Sequence, residues 1–383
     1  MTSINVRPVR SRKERRTFLR FPWRIYRNDP LWVPPLMHER SRATDPARGV
    51  FFERGDADFF VAWKDSTPVG TICAAEDRWS NENHNRSECM FGFFDCVDDA
   101  HVAGALFDTV IQWARTRGLT KLLGPFNLDY ENAYGVLVEG RDRPPALLCG
   151  HTPPYYQAFF EDGPLPFYKA RGDNLAYEID FLDDSPERQK LHRLADRLRK
   201  RGWVRVRGAD FSQWRDEADR VYGIINEALK HLPDFIGWNR AALHETMKSF
   251  LQIADPELIL FAEVDGKAVG WFPGIPNINM ALQAVNGARY PWDFLRLALL
   301  SQRKTDSLTI KSVLVLPEYW QTGVAVMLFD EMLTRARNKG YVWGDLSLTS
   351  EDNPYTPDLA ERLGARIYKR YRTYRLDLQE LKR

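Results

Sequence analysis

The chain has 383 residues, 44% of them hydrophobic, and a net charge of +2 at pH 7. That length suits one large or two ordinary domains, and so small a charge provides no field for non-specific nucleic-acid binding. Its four cysteines form no C-x-x-C pair and its seven histidines show no metal-ligand spacing, so neither a disulfide framework nor a metal is expected.

The thiols read as those of a cytoplasmic protein. No apolar run approaches the ~18 residues of a spanning helix, and the basic N-terminus lacks the apolar core of a signal peptide. Residues 1–50 interleave Arg10, Arg12, Lys13, Arg15, Arg16, Arg20, Arg24 and Arg27 with Phe18, Phe21, Trp23, Tyr26 and Trp32. Ser11 and Glu14 have capping-box spacing and predict a helix start. Such a segment can lie on an anionic membrane, or it can pack its aromatic rings inward and leave its arginines in water. Next come a hairpin (59–64 and 69–72), a strand (90–96), a helix (102–117) closed by Gly118, and a buried strand (119–126). The polar stretch 124–135 follows. Its Asn127, Asp129, Tyr130 and Glu131, with Tyr156 farther on, are candidate substrate contacts; a structural loop is the alternative. A strand at 175–181 reads as the end of a first module, and Asp183-Asp184-Ser185-Pro186 as the boundary. The expected division is therefore 1–50, 51–184 and 185–383.

Beyond the boundary, the pattern predicts helices at 187–200, 211–231 and 240–254 with a strand at 203–207. A second hairpin then repeats the first: Ala62, Asp65, Val69 and Gly70 recur at the same spacing as Ala262, Asp265, Val269 and Gly270. Likewise Ala114-x-x-x-Gly118 recurs as Ala336-x-x-x-Gly340. Two matches in one order suggest a duplicated α/β module. Between hairpin and next strand, 274–307 carries a helix around Trp292 that is apolar nearly all round. It should be buried or line a greasy cavity, and Trp292 is a candidate contact for an apolar substrate.

The stretch 310–337 organises the second half. It reads as a buried strand ended by Pro317, a polar turn (Gln321, Thr322, Gly323) and a helix from Val324. A helix N-terminus behind a glycine turn points backbone N–H groups at an anion such as a pyrophosphate. The next strand, 342–349, puts Asp345, Ser347 and Thr349 on one face. A polar face inside an α/β sheet is costly unless it lines a site, so Asp345 is the first candidate for a base or amine-binding group; local pairing is the other reading of it. Glu318 and Glu351 come second. A last strand is expected at 367–378.

This order resembles the GNAT superfamily of acyl-CoA N-acyltransferases, a mixed-sheet α/β fold, here as two tandem modules. The family signature is Gln/Arg-x-x-Gly-x-Gly/Ala. Gly323 and Ala325 match it, whereas Trp320 stands at the Gln/Arg position. The resemblance implies acyl-CoA as co-substrate and no metal. Gln321, Thr322, Gly323, Val324 and Ala325 would hold the pyrophosphate, Val313 and Val315 would flank the pantetheine arm, and Asn353 would occupy the family's Asn position after the fifth strand. Ala360 stands where the family often has a tyrosine acid, so Tyr355, Tyr368 or the thiol itself must manage that proton. In the first module the matching turn, Val97-Asp98-Asp99-Ala100, lacks glycine and would repel a pyrophosphate, which marks a degenerate copy.

The whole chain is also similar to the bacterial ceramide synthases. The similarity lies in Phe21-Pro22-Trp23, Asp29-Pro30, Trp32-Val33-Pro34-Pro35-Leu36, Gly124-Pro125-x-Asn127 and Pro154-Tyr155-Tyr156. It implies transfer of a long acyl chain from acyl-CoA to a sphingoid base; the basic aromatic N-terminal segment adds the expectation of a cytoplasmic protein in peripheral contact with an anionic membrane at its inner face. The rivals are an acetyltransferase for a small polar amine, which would favour an open acidic pocket, and a non-catalytic protein that binds acyl-CoA or lipid.

Overall fold

The computed structural model describes residues 3–128, 134–145, 149–231, 235, 237–353 and 356–381; of Ser249 only the backbone is described. The chain divides into two compact units. Unit 1 holds Met1–Asn174, Asn279–Ala298 and Lys369–Arg383, and unit 2 holds Leu175–Ile278 and Leu299–Tyr368. In chain order the first strands are β1 (Ile4–Pro8), β2 (Gly55–Lys64), β3 (Thr67–Asp77), β4 (Glu88–Cys96) and β5 (Lys121–Gly124). Then come β6 (Val136–Glu139), β7 (Tyr168–Lys169), β8 (Asn174–Asp180), β9 (Arg205–Gly208), β10 (Ile259–Val264) and β11 (Lys267–Pro276). The last are β12 (Ser307–Ile310), β13 (Leu314–Val315), β14 (Trp343–Ser350), β15 (Arg366–Arg372) and β16 (Tyr374–Asp377).

In unit 1 the sheet runs β1-β2-β3-β4-β5-β16-β7. Only β4 and β5 pair in parallel, from Glu88↔Lys121 to Met90↔Leu123. Parallel neighbours need a crossover, and the helix Ala100–Thr116 supplies it, with Val102, Leu106, Phe107, Val110, Ile111 and Trp113 buried along one stripe. The N-terminal helix Arg12–Arg20 opens with the expected Ser11/Glu14 capping box. Phe18, Phe21 and Tyr26 are buried, Phe18 edge-on to Phe59 at 5.1 Å, while Arg12, Arg16 and Arg20 are exposed. The aromatic rings therefore face inward.

Past the last β4–β5 pairing in unit 1, the chain stays on β4. Phe126 N–H donates to Phe91 O at 3.0 Å, and Asn127 Oδ1 accepts from Phe93 N–H at 2.7 Å. Gly92 permits this approach, since a Cβ there would lie 1.8 Å from the Phe126 carbonyl oxygen. Asp99 caps the crossover helix, accepting from His101 N–H. Space between the strands and charge at the helix start are both used internally, so this copy is closed.

Unit 2 has a second mixed sheet, with the run β8-β14-β12-β11-β10-β9. The two sequence matches mark identical structural devices. Each hairpin slips register at one place, between Ala62/Trp63 and between Ala262/Glu263. Each helix ends at a left-handed glycine, Gly118 (φ 72°) or Gly340 (φ 87°). The residue beyond it reaches back, Leu119 N–H to Ala114 O and Tyr341 N–H to Ala336 O, both at 3.0 Å, the bond that closes a Schellman motif.

Three expectations are corrected. The strand at 175–181 falls in unit 2, where β8 lies beside β14. The strand expected at 367–378 divides around Thr373: β15 ends at Arg372, and β16 pairs with β5 in unit 1 from Tyr374↔Gly124 to Asp377↔Lys121. The apolar helix near Trp292, Pro291–Ser301, has no buried residue. Apolar content all round gives no side to bury preferentially, and among the described residues nothing covers this helix fully.

The closed strand pair in unit 1 has a measurable cost signature. Gly92→Ala should lower unfolding free energy by about 1–3 kcal/mol through overpacking. Gly104→Ala, inside the crossover helix with nothing within 4 Å of the added Cβ, should raise it by ~0.5–1 kcal/mol. Urea denaturation of both variants checks the pair.

Candidate active site

The site is built on β12 in unit 2. Ser307–Ile310 is a fully buried strand. It pairs in parallel with β14 from Ser307↔Trp343 to Ile310↔Leu346, and antiparallel with β11 on its other side. After Ile310 the chain leaves the ladder at 311–313 and resumes as β13, which pairs with β11 alone (Gly270↔Val315, Trp271↔Leu314). Meanwhile β14 runs on to Ser350. The two parallel strands thus part beyond Ile310 and Leu346. Diverging strand edges suit an extended chain that carries its own amides, as in strand addition.

Beyond β13 comes the single turn Pro317–Tyr319. Trp320 Nε1 donates to Val315 O at 2.9 Å, an indole bond where the family signature has a Gln or Arg. Gln321 (φ 63°) and Gly323 (φ 95°) then turn the chain into the helix Val324–Asn338, which has no side-chain cap and no acidic residue in its first turn. Helix N-termini carry orphan N–H groups and a partial positive charge. In contrast to the Asp99-capped helix of unit 1, this end fits an anion. Gly323 has a second duty, because a Cβ there would sit 2.5 Å from Leu198 Cδ1.

Asp345 is fully buried on β14, beside Thr309 of β12 in register. Tyr368 Oη donates to its Oδ1 at 2.7 Å and Ser347 Oγ to its Oδ2 at 2.6 Å. A buried carboxylate is tolerable when both oxygens accept hydrogen bonds. Ser347 is the first residue past the Ile310↔Leu346 pairing, so this hydrogen-bonded trio sits where the strands begin to diverge. The trio is a carboxylate acceptor held between two hydroxyl donors.

The remaining candidates fall as follows. Val315 is buried and Val313 half-buried at the strand edge; Thr322, Gly323 and Ala325 are half-buried, Val324 is buried and Gln321 exposed. Asn353 Oδ1 accepts from Thr356 N–H at 3.2 Å, at the start of the helix Thr356–Arg362. Glu318 and Glu351 are exposed, and Ala360 is buried. Tyr355, Asp129, Tyr130 and Glu131 lie outside the described residues. Asn127 is taken up by β4 in unit 1, and Tyr156 is a core residue, 1% exposed, its hydroxyl accepting from Cys96 N–H at 2.7 Å; neither is poised for a substrate. Trp292 is 64% exposed and stacked on Tyr290 at 4.7 Å.

Two features escaped sequence reasoning. One is the Tyr368–Asp345 bond, between residues on strands that only the fold brings together. The other, in unit 1, is the pair His151 Nε2–Asp29 Oδ2 at 2.8 Å. Burial, opposed by Asp29, holds the His151 pKa below its usual value, which keeps the ring neutral near pH 7. Asp29-Pro30 could be read as a turn, but nothing in its pattern named a histidine partner.

Comparison with known proteins adds a second line. The model of the Acetyltransferase (GNAT) family matches residues 213–365. The chain is 31% identical over 380 residues to "Bacterial ceramide synthase" of Caulobacter vibrioides (strain NA1000 / CB15N), covering 97% of each chain. It is 29% identical over 382 residues to "Protein YghO" of Escherichia coli (strain K12), covering 96% of this chain and 94% of that one. Among solved structures, a tandem GNAT protein from the clavulanic acid biosynthesis pathway superposes over 99% of this chain and 100% of its own, with a TM-score of 0.56 at 13% identity. That last likeness speaks to fold alone.

A carboxylate placed in the first turn of the Val324–Asn338 helix separates anion binding from folding. Ala325→Glu should weaken coenzyme A binding at least about tenfold through like-charge repulsion. It should leave the melting temperature unchanged or slightly higher, because an acidic residue suits a helix N-terminus. Calorimetric titration and a thermal melt on one sample check both halves.

Proposed function

The chain belongs to the GNAT family of N-acyltransferases, in company with the bacterial ceramide synthase, and from that premise we propose that it moves a long acyl chain from acyl-CoA to the primary amine of a sphingoid base, giving a ceramide. The observation that carries this reading is the similarity over 97% of both chains. It spans both modules and the 274–307 insertion, and so exceeds what a shared acyl-CoA module alone would produce. A sphingoid acceptor resides in a bilayer, so the reaction would take place at the cytoplasmic face of a membrane.

In this reading the N–H groups around Gln321–Ala325 bind the pyrophosphate. The edges at Val313, Val315 and 347–350 align the pantetheine arm, and with it the thioester. The amine nitrogen attacks the thioester carbon; a C–N bond forms, the C–S bond breaks, and coenzyme A leaves as a thiol. On the way to the amide the ammonium gives up two protons, one before attack and one from the nitrogen of the tetrahedral intermediate; one ends on the departing sulfur and the other in solvent. Asp345 attracts the ammonium and takes its first proton, and Tyr368 Oη, already donating to Asp345, is the group able to hand a proton onward to sulfur. Ser347 holds the second carboxylate oxygen in place. This division of labour explains how the chain works with Ala360 at the position where many relatives of this fold carry a tyrosine acid. A positioned acid or base of this kind is worth ~10²–10⁴ in rate.

The test is thiol release from acetyl-, octanoyl- and palmitoyl-CoA, each with and without sphinganine. We expect release with palmitoyl-CoA that depends on sphinganine. Asp345→Asn and Tyr368→Phe should each lower kcat by about 100-fold with little change in KM for acyl-CoA. Release from acetyl-CoA without a lipid amine would sink the ceramide assignment in favour of a small acceptor, and full activity in both variants would remove the relay.

A further inference from the structure

Exposed apolar side chains cluster on Tyr290 and on the part of the helix Pro291–Ser301 that belongs to unit 1. Tyr290 is 54% exposed, Trp292 64%, Phe294 41% and Leu295 65%. Trp292 and Leu295 are three residues apart and share one helix face; Tyr290 stacks on Trp292, ring planes within 9°. The base of this element is firmly tied down. Trp23 Nε1 donates to Asn286 Oδ1 at 2.6 Å, Met37 N–H donates to Gly287 O at 2.8 Å, and Gln283 Nε2 donates to the carbonyls of Pro30 and Trp32, both at 3.1 Å. The apolar side chains are therefore held out from an anchored platform.

Positive charge gathers at the same place. Arg16, Arg20, Arg289 and Arg296 are exposed. None of them has a carboxylate partner among the described residues. Arg289 lies over the Trp23 ring at 5.0 Å. Arg20 is close enough to Arg16 and Arg289 for their charges to add to the effect of burial in lowering its pKa, and Tyr290 lies near enough to act on it too. Asp293, the carboxylate on the same element, accepts through Oδ2 from the backbone N–H groups of Arg289 and Tyr290 at 2.8 and 3.0 Å. Like charges held together without a counter-ion favour an external anion. Exposed aromatic rings beside cations are the composition of a surface that enters the headgroup layer of a membrane.

We propose that Tyr290, Trp292 and Leu295, with the guanidinium groups of Arg16, Arg20, Arg289 and Arg296, dock this protein on an anionic bilayer. The rings and Leu295 enter the interface while the arginines meet lipid phosphates. This deepens the reading of a lipid acceptor, because it names the surface by which the enzyme would reach one, yet it can be tested without turnover.

The experiment is flotation of the full-length protein with vesicles of phosphatidylcholine alone and of phosphatidylcholine mixed with phosphatidylglycerol, at low and high salt. Variants are Tyr290→Ser/Leu295→Ser and Arg16→Glu/Arg20→Glu/Arg289→Glu, each checked by circular dichroism and light scattering. Support is partition onto the mixed vesicles only, weakened by salt and by either variant, with at least about a fivefold loss for each arginine reversed. Equal partition onto both vesicles, no partition, or partition unchanged in both variants overturns the proposal. So does a wild-type dimer that the Tyr290→Ser/Leu295→Ser variant converts to monomer, with no vesicle binding, since the face would then be covered by a second copy. An inactive protein that floats, or an active one that does not, separates this proposal from the ceramide reading.

Discussion

Parallel strands that pair for only part of their length are the constraint from which the site follows. β12 and β14 are in register up to Ile310↔Leu346, and a strand cannot stay hydrogen-bonded to two diverging neighbours. Once the chain leaves the ladder at 311–313, β13 follows β11 and β14 goes its own way. The residues proposed for the site lie around that parting. Ser347 and Asp345 lie at its base, the helix Val324–Asn338 begins just past the end of β13, and the left-handed turn at Gly323 aims that helix start. The polar face of β14 would burden an ordinary core strand; here Tyr368 and Ser347 satisfy both Asp345 oxygens.

The two units are the same design in two states. Both carry a hairpin with one register slip at the corresponding position, and both close a crossover helix with the same glycine cap. They differ where a ligand would go. In unit 1, Phe126 and Asn127 follow β4 across Gly92, and Asp99 supplies the helix with a negative charge of its own. In unit 2, neither substitution for a ligand is made. Degeneracy of the first copy thus has a concrete form: its own chain and its own carboxylate occupy the strand edge and the helix start, whereas the corresponding helix start of the second copy has no side-chain cap.

Sequence patterns read well wherever the deciding physics is local. The Ser11/Glu14 box, the two hairpins, the glycine caps and the turn and helix at Gly323 are each set within a few residues, and each stands in the structure; the strand expected from Ile310 to Pro317 is instead broken at 311–313, because an apolar run does not record where a neighbouring strand departs. Alternation along a strand reports which face is buried but not which strand lies next to it. That is why chain order misplaces 175–181 and the end of the last strand, β16, while β15 stays in the sheet of β8 and β14. The same blindness hid the Tyr368–Asp345 bond. Tyr156 looked like part of a polar cluster because a phenol can serve a substrate or a core, and only its bond to Cys96 N–H and its burial decide. For Pro291–Ser301, an apolar periodicity without a polar side is equally compatible with a buried helix and an exposed one, since the pattern records affinity for apolar surroundings rather than where they are found.

The position of β16 bears on how the sheet closes. Tyr374 and Leu376 sit in the hydrophobic core of unit 1, Tyr374 stacked on Phe160 at 4.4 Å, and β16 fills the place between β5 and β7. β16 is far from β5 in sequence, so the loop-closure entropy of a long intervening chain must be met before their contacts form. Until β16 docks, β5 presents an unpaired edge, the kind of surface that recruits foreign strands.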